Sequence, residues 1–257
     1  MNFFEAVGYI LKNYWKNFAT GVYYTLLISL VSTLIGLVIG LVIGIIRTIP
    51  KSKKKPVRII QKIVDILLSI YIEVFRGTPM MVQSMVIYWG YAFATGGQTL
   101  NLMFSAMFIV SINTGAYIAE IVRGGINGID KGQFEGAQSL GMSHFQTMRL
   151  IIIPQVMKSI LPSVSNEFVI NVKDTSVLNV IGVTELYFFM NVTVKETFKN
   201  FPVYFIVCII YLILTFTITR IIKIIEKRLT TKKDFNLAND IIVEPIEEQN
   251  KIVGGSK

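Results

Sequence analysis

One cysteine and one histidine occur in the 257 residues, and only 16% of the chain is charged. A single thiol, Cys208, excludes an internal disulfide and any cysteine-based metal site. Lying inside an apolar stretch, it reads as a small packing residue. A single imidazole, His144, falls in a polar segment and reads as a surface residue. No constellation of nucleophile, base or metal ligands accompanies it, so no catalytic and no metal-binding residue is assigned. No Gly-x-x-x-x-Gly-Lys segment occurs, so the chain itself is not expected to hydrolyse ATP.

Hydrophobic runs are present in excess. Residues 17–46 are 30 consecutive uncharged positions and residues 77–119 are 43, well beyond the roughly 20 that span a bilayer core. The formal charge of +9 comes from basic residues beside these runs, which membrane topology explains without a nucleic-acid partner. The first run is too long for the core of a signal peptide and is followed by no small-x-small cleavage site, so it is expected to remain.

The pattern predicts an all-α, polytopic membrane protein with five transmembrane helices. Residues 1–18 put Phe3, Val7, Ile10, Leu11, Tyr14 and Phe18 on one side and Glu5, Lys12 and Lys16 on the other, an interfacial helix. Spans are predicted at about 21–46, 78–95, 102–121, 160–183 and 202–222. In the first, Gly36, Gly40 and Gly44 recur every fourth residue, a spacing shared by close-packed membrane helices and by glycines merely tolerated there. A basic, proline-broken connector begins at Arg47. Beyond it Arg58, Lys62, Asp65, Ser69 and Glu73 form a polar stripe on a helix expected to lie on the inner surface. Thr78 and Pro79 suit the start of the second span. Eighteen Lys and Arg fall in segments 47–76, 123–158 and 220–233, against four in 12–16, 96–101 and 195–199. The amino terminus is therefore expected outside and the carboxyl terminus inside. Residues 229–257 are read as a cytoplasmic tail, disordered from 234.

The polar connection 123–158 is the most informative. Residues 133–140 can form a short helix, Gly141 suits the left-handed position after it, and Ser143 with Gln146 makes a capping box for a second. Pro154 then disturbs that helix as the next span approaches. The expected product is a compact helix–turn–helix with Ala137, Leu140, Met142 and Phe145 available to a partner.

The run Glu135-Gly-Ala137-Gln-Ser-Leu-Gly141, followed by Ile151 and Pro154, resembles the coupling-loop signature of ATP-binding-cassette (ABC) importer permeases. Gly136 stands for the usual first alanine, which loosens the helix by up to about 1 kcal/mol, and Ile153 for the usual leucine. The segments Glu73-Val-Phe-Arg-Gly-Thr-Pro-Met-Met-Val-Gln83, Tyr117-Ile-Ala-Glu-Ile-Val-Arg-Gly-Gly125 and Asn166-Glu-Phe-Val-Ile-Asn-Val-Lys-Asp-Thr-Ser176 narrow the resemblance to permeases for polar amino acids, the histidine, glutamine, glutamate, arginine and opine group. It covers about residues 18–228. It implies a type I, MetI-like permease fold in the plasma membrane of a prokaryote, with a second permease subunit, identical or related. It also implies a solute-binding protein and an ABC ATPase dimer that holds the ATP–Mg, with no cofactor in this chain. The implied ATPase-coupling residues are Glu135, Gly136, Ala137, Leu140, Gly141, Met142, Ile151 and Pro154.

Glu167, Asn171 and Asp174 fall at i, i+4 and i+7 of the fourth span, on one helical face. Such groups are costly in hydrocarbon, so the face lines a polar cavity or pairs internally. On the first reading, Glu167 and Asp174 hold the cationic groups of a substrate. Asn171, Thr175 and Ser176 then donate or accept hydrogen bonds, and Lys173 meets a carboxylate. On the second, Lys173 pairs with a carboxylate and ties spans together. Arg76 and Glu120 read as topology anchors or an intersubunit ion pair. Intramembrane charges also suit a channel or secondary transporter for a small polar solute, although no inverted repeat is evident.

Overall fold

The structure, a computed structural model, describes residues 1–230, which form helices and no strand among the described residues. The expected tail lies outside them, apart from the helical backbone of 229 and 230.

Helix α1 (Phe3–Ile46) opens in a capping box between Asn2 and Glu5 and runs unbroken for 44 residues. It replaces the separate interfacial helix expected over 1–18. No proline interrupts it, and Ile10 and Phe18 are buried in a cluster with Leu186, Met190 and Val203, so the amino-terminal turns are held by the bundle itself. Then come α2 (Lys55–Gly77), α3 (Met80–Ala94) and α4 (Leu102–Asn127).

Helices α1 and α4 lie side by side and parallel, with Gly36, Gly40 and Gly44 facing Thr114, Ile118 and Val122 in step. A Cβ on Gly40 would sit 2.5 Å from Ile118 Cγ2, and one on Gly44 2.5 Å from Val122 Cγ1. The four-residue glycine spacing is thus a close-approach surface, and only glycine fits it.

Because α1 and α4 point the same way, residues 47–101 must return the chain to its starting end. Helices α2 and α3 do so as one interrupted rod, whose joint at Thr78 and Pro79 is bound to Asn113, near the middle of α4. Gln83 Nε2 donates to the carbonyls of Phe75 (3.0 Å) and Thr78 (2.9 Å), while Asn113 Nδ2 donates to Phe75 O (3.2 Å) and Gln83 Oε1 (2.9 Å). These two amides satisfy carbonyls that the break leaves free, which a helix interrupted within the bundle requires. The predicted 78–95 span is therefore only part of the rod: α3 has 15 residues, about 22 Å at 1.5 Å per residue, short of a bilayer core. Thr78 ends α2 rather than capping α3, and its hydroxyl turns back to the carbonyl of Val74.

The remaining elements are α5 (Lys131–Ser139), α6 (His144–Thr147), a π turn (Met148–Ile152), α7 (Ile153–Asp174), a 3-10 segment (Thr175–Ile181), α8 (Leu186–Thr197) and α9 (Asn200–Thr230). Helix α7 runs antiparallel to α4, with Gly125 against Val156 and Ile160, and Thr114 bonded to Asn171. Helix α9 runs parallel to α1, from Phe3 against Phe201 and Phe205 to Tyr211 beside Thr25. The third predicted span extends to Asn127. The fourth ceases to be α-helical at Asp174, and the connection after it contains α8, which the sequence did not announce. Cys208 is exposed on α9, not packed. By length and composition α1, α4 and α9 can each cross a membrane, and residues 144–181 with α8 form a fourth such unit bent by 55°.

Candidate functional site

The segment between α4 and α7 forms a helix–turn–helix whose local signals act as the sequence implies. Asp130 caps α5 by accepting from Gly132 N. Gly141 takes φ +74°, and the N–H groups of Gly141 and Met142 close the helix end on the carbonyls of Gln138 and Ala137. Ser143 and Gln146 form the capping box of α6. Pro154 has no N–H to give, and the turn just before it widens to π geometry over Met148–Ile152, so helix continues from α6 into α7. The second helix of the motif and the next long helix are thus one rod.

Burial sorts the coupling residues. Leu140 and Phe145 are 82% and 70% exposed at the tip of the turn. Glu135, Gly136, Gly141 and Pro154 are also exposed, and His144 lies on the surface. Ala137 faces inward and is 2% exposed, while Met142 and Ile151 are half-buried. Ile151 and Phe134 pack on the cluster of Ile126, Met148 and Ile152, which seats α5 on the ends of α4 and α7. Ala137, expected on the partner-facing side, is instead the footing of the motif.

The 167–176 stretch separates into two groups. Asn171 is buried; its Nδ2 donates to Thr33 Oγ1 (2.8 Å) and Thr114 Oγ1 (3.0 Å), joining α7 to α1 and α4. Thr175 is buried and donates to its own helix at Val172 O. Glu167 is half-buried, Lys173 and Asp174 are exposed, and Ser176 is half-buried with its hydroxyl on Lys173 O. Among the described residues no carboxylate pairs with Lys173, so it does not tie spans together within this chain.

Two polar knots escaped the sequence reading. Glu120 pairs within the chain, with Arg47 (2.7 Å) and Arg123 (2.6 Å), while Arg47 also reaches Asp65 (3.3 Å) and Ser69 (3.1 Å). One guanidinium thus ties the end of α1 to α2 and α4, and Arg76 lies instead over the Tyr117 ring. At the other end Glu185 is fully buried. It accepts from Phe188 N (2.9 Å), Tyr211 Oη (3.0 Å) and Thr25 Oγ1 (3.4 Å), capping α8 and joining it to α1 and α9. The available signal was an isolated acid between two apolar stretches, three residues before a free helix-start N–H.

Comparison with known proteins agrees with this architecture. The family described as binding-protein-dependent transport system inner membrane component matches residues 36–231. The glutamine transport system permease protein GlnP of Escherichia coli (strain K12) is 37% identical over 160 residues, 62% of this chain and 73% of that protein. A crystal structure of an amino acid ABC transporter with histidines superposes with TM-score 0.73 at 34% identity, covering 89% of this chain and 99% of that one. The inward-facing MetNI methionine ABC transporter shares the fold at TM-score 0.66 and 19% identity, covering 82% and 95%.

Proposed function

The chain belongs to the family of binding-protein-dependent transport system inner membrane components, and we propose that it is the membrane-spanning permease subunit of an ATP-driven importer of a polar amino acid of the glutamine class. Substrate class is supported by the similarity to GlnP and to the amino acid transporter structure. It is a multi-pass plasma-membrane protein that crosses five times, with α2 and α3 together making one crossing, the amino terminus outside and the carboxyl terminus in the cytoplasm.

The observation that carries the coupling role is the pair Leu140 and Phe145. Two large apolar side chains stand in water at the tip of an otherwise polar turn, held there by Gly141 and the Ser143–Gln146 box. Such exposure marks a contact surface. The occupant is an ABC ATPase dimer that binds the ATP–Mg, one subunit gripping each permease of a pair. Because α6 continues into α7, movement of the turn is transmitted along one rod to Glu167, Lys173, Asp174 and Ser176. Those four would bind substrate handed over by the solute-binding protein, Glu167 and Asp174 taking its cationic group and Lys173 its carboxylate. Asn171 and Thr175 hold the rod in register.

Reconstitution of the permease with its ATPase and solute-binding protein in proteoliposomes tests this. Glutamine-stimulated ATP hydrolysis and uptake are expected, with Glu167→Gln and Asp174→Asn raising the half-maximal substrate concentration. Unchanged stimulation and uptake in both variants would remove the ligand assignment, and uptake without the ATPase would remove the importer.

A further inference from the structure

Between the end of α1 and the first half of α2 lies a cavity of about 680 Å³ whose lining includes Arg47, Lys51, Arg58 and Lys62. Its charges are not balanced. Asp65, the one acid of the lining, is held by Arg47, which Glu120 also engages. Among the described residues no carboxylate lies within ion-pair distance of Lys51, Arg58 or Lys62. The turn carrying Lys51 is fixed over α2: Gln61 accepts from Ser52 N at 2.9 Å and donates to Pro50 O at 3.1 Å. Three cations with no ion-pair partner among the described residues are therefore gathered on a built surface.

The walls are apolar. Ile49, Ile59, Ile60 and Ile66 are 44%, 60%, 60% and 48% exposed, and the strip continues along α2 through Ile63 and Ile70, at 53% and 52%. A free inorganic anion would satisfy the cations and leave the strip in water, whereas a neutral lipid would cover the strip and leave the net positive charge unmatched. We infer that this cavity binds an anionic phospholipid, its phosphate among Lys51, Arg58 and Lys62 and its acyl chains along the exposed strip of α2. Basic clusters beside apolar membrane segments attract anionic headgroups in this way. That the leaflet is the cytoplasmic one rests on the proposed orientation; the binding itself does not.

The test uses the full chain in a neutral detergent, titrated with short-chain phosphatidylglycerol, phosphatidylcholine of the same chains, and inorganic phosphate, and read by thermal unfolding and native mass spectrometry. Phosphatidylglycerol is expected to stabilise at concentrations at least about tenfold below phosphatidylcholine, with retained lipid visible by mass. The double variant Arg58→Gln, Lys62→Gln should lose about tenfold in that preference, while Lys12→Gln, Lys16→Gln keeps it. Equal effects of the two lipids would reduce the site to ordinary annular contact, and an equal effect of phosphate would make it a free-anion site. A doubled mass abolished by the same double variant would assign the surface to a second copy. Each of these overturns the inference. No ATPase or amino acid is in the assay, so its failure leaves the importer reading untouched.

Discussion

The side-chain amide of Asn171 donates to the hydroxyl of Thr33 at 2.8 Å, across 138 positions of sequence, and to Thr114 at 3.0 Å. Three helices meet at that amide. Replacing it with alanine strands the buried Thr114 hydroxyl and takes a donor from Thr33, whose own hydroxyl still donates to Ser29 O, and interhelical hydrogen bonds in membrane proteins are worth about 0.6 kcal/mol on average and up to about 1.7. Asn171→Ala should therefore lower stability by roughly that range in detergent unfolding, while leaving the half-maximal substrate concentration for ATPase stimulation unchanged. A raised substrate requirement at normal stability would return Asn171 to the ligand-binding group.

Glycine substitutions should rank by the room each site offers. A Cβ at Gly40 meets Ile118 at 2.5 Å, one at Gly36 meets Thr114 at 3.0 Å, and one at Gly136 meets nothing within 4 Å. Gly40→Ala should cost about 1–3 kcal/mol through overpacking, Gly36→Ala less, and Gly136→Ala should stabilise by up to about 1 kcal/mol because α5 is a helix interior open to solvent. Melting temperatures of the three variants check the order, and a neutral Gly40→Ala would contradict the parallel α1–α4 contact.

Glu185 is the buried cap of α8, with Tyr211 and the Phe188 N–H both directed at it. Glu185→Ala leaves both donors without their acceptor and should cost about 1–3 kcal/mol. Amide hydrogen exchange should show the loss as faster exchange at Phe188 and through the first turn of α8, with the helix–turn–helix at 131–147 unaffected.

Gly141 at φ +74° closes α5 without strain. Gly141→Val forces a β-branched residue into left-handed geometry at a cost of about 1–3 kcal/mol. Since nothing crowds the site, the effect should fall on the shape of the turn: ATPase co-purification drops while the melting temperature of the bundle moves little.

What the sequence disclosed follows from how local each signal is. Gly141, the Ser143–Gln146 box and Pro154 act within four residues of themselves, and the structure puts each in the expected geometry. The glycine spacing in α1 allowed a close helix contact without deciding for it over tolerated glycine, and it did not name α4 as the partner. The rod formed by α2 and α3 was hidden because Arg58, Lys62 and Asp65 make α2 read as a surface helix. That the two helices return the chain together along α4 shows only in tertiary contacts, in the hold of Gln83 and Asn113 on the Thr78 joint. Helix α8 was hidden for a similar reason, being 12 residues stabilised by a buried carboxylate whose partners lie on α1 and α9. Ala137 was misassigned because a signature gives residue identity and spacing but not which side of a short helix meets its own chain.

Site-directed cross-linking of the turn to the ATPase tests the account at its centre. In a Cys208→Ser background, single replacements Leu140→Cys, Phe145→Cys and Ala137→Cys are made and the assembled complex is treated with a short thiol-to-amine reagent. Adducts of permease plus ATPase should form from positions 140 and 145 and not from the buried 137. No adduct from either exposed position, or labelling of both by an impermeant reagent added outside intact cells, would contradict the placement of this helix–turn–helix against the ATPase.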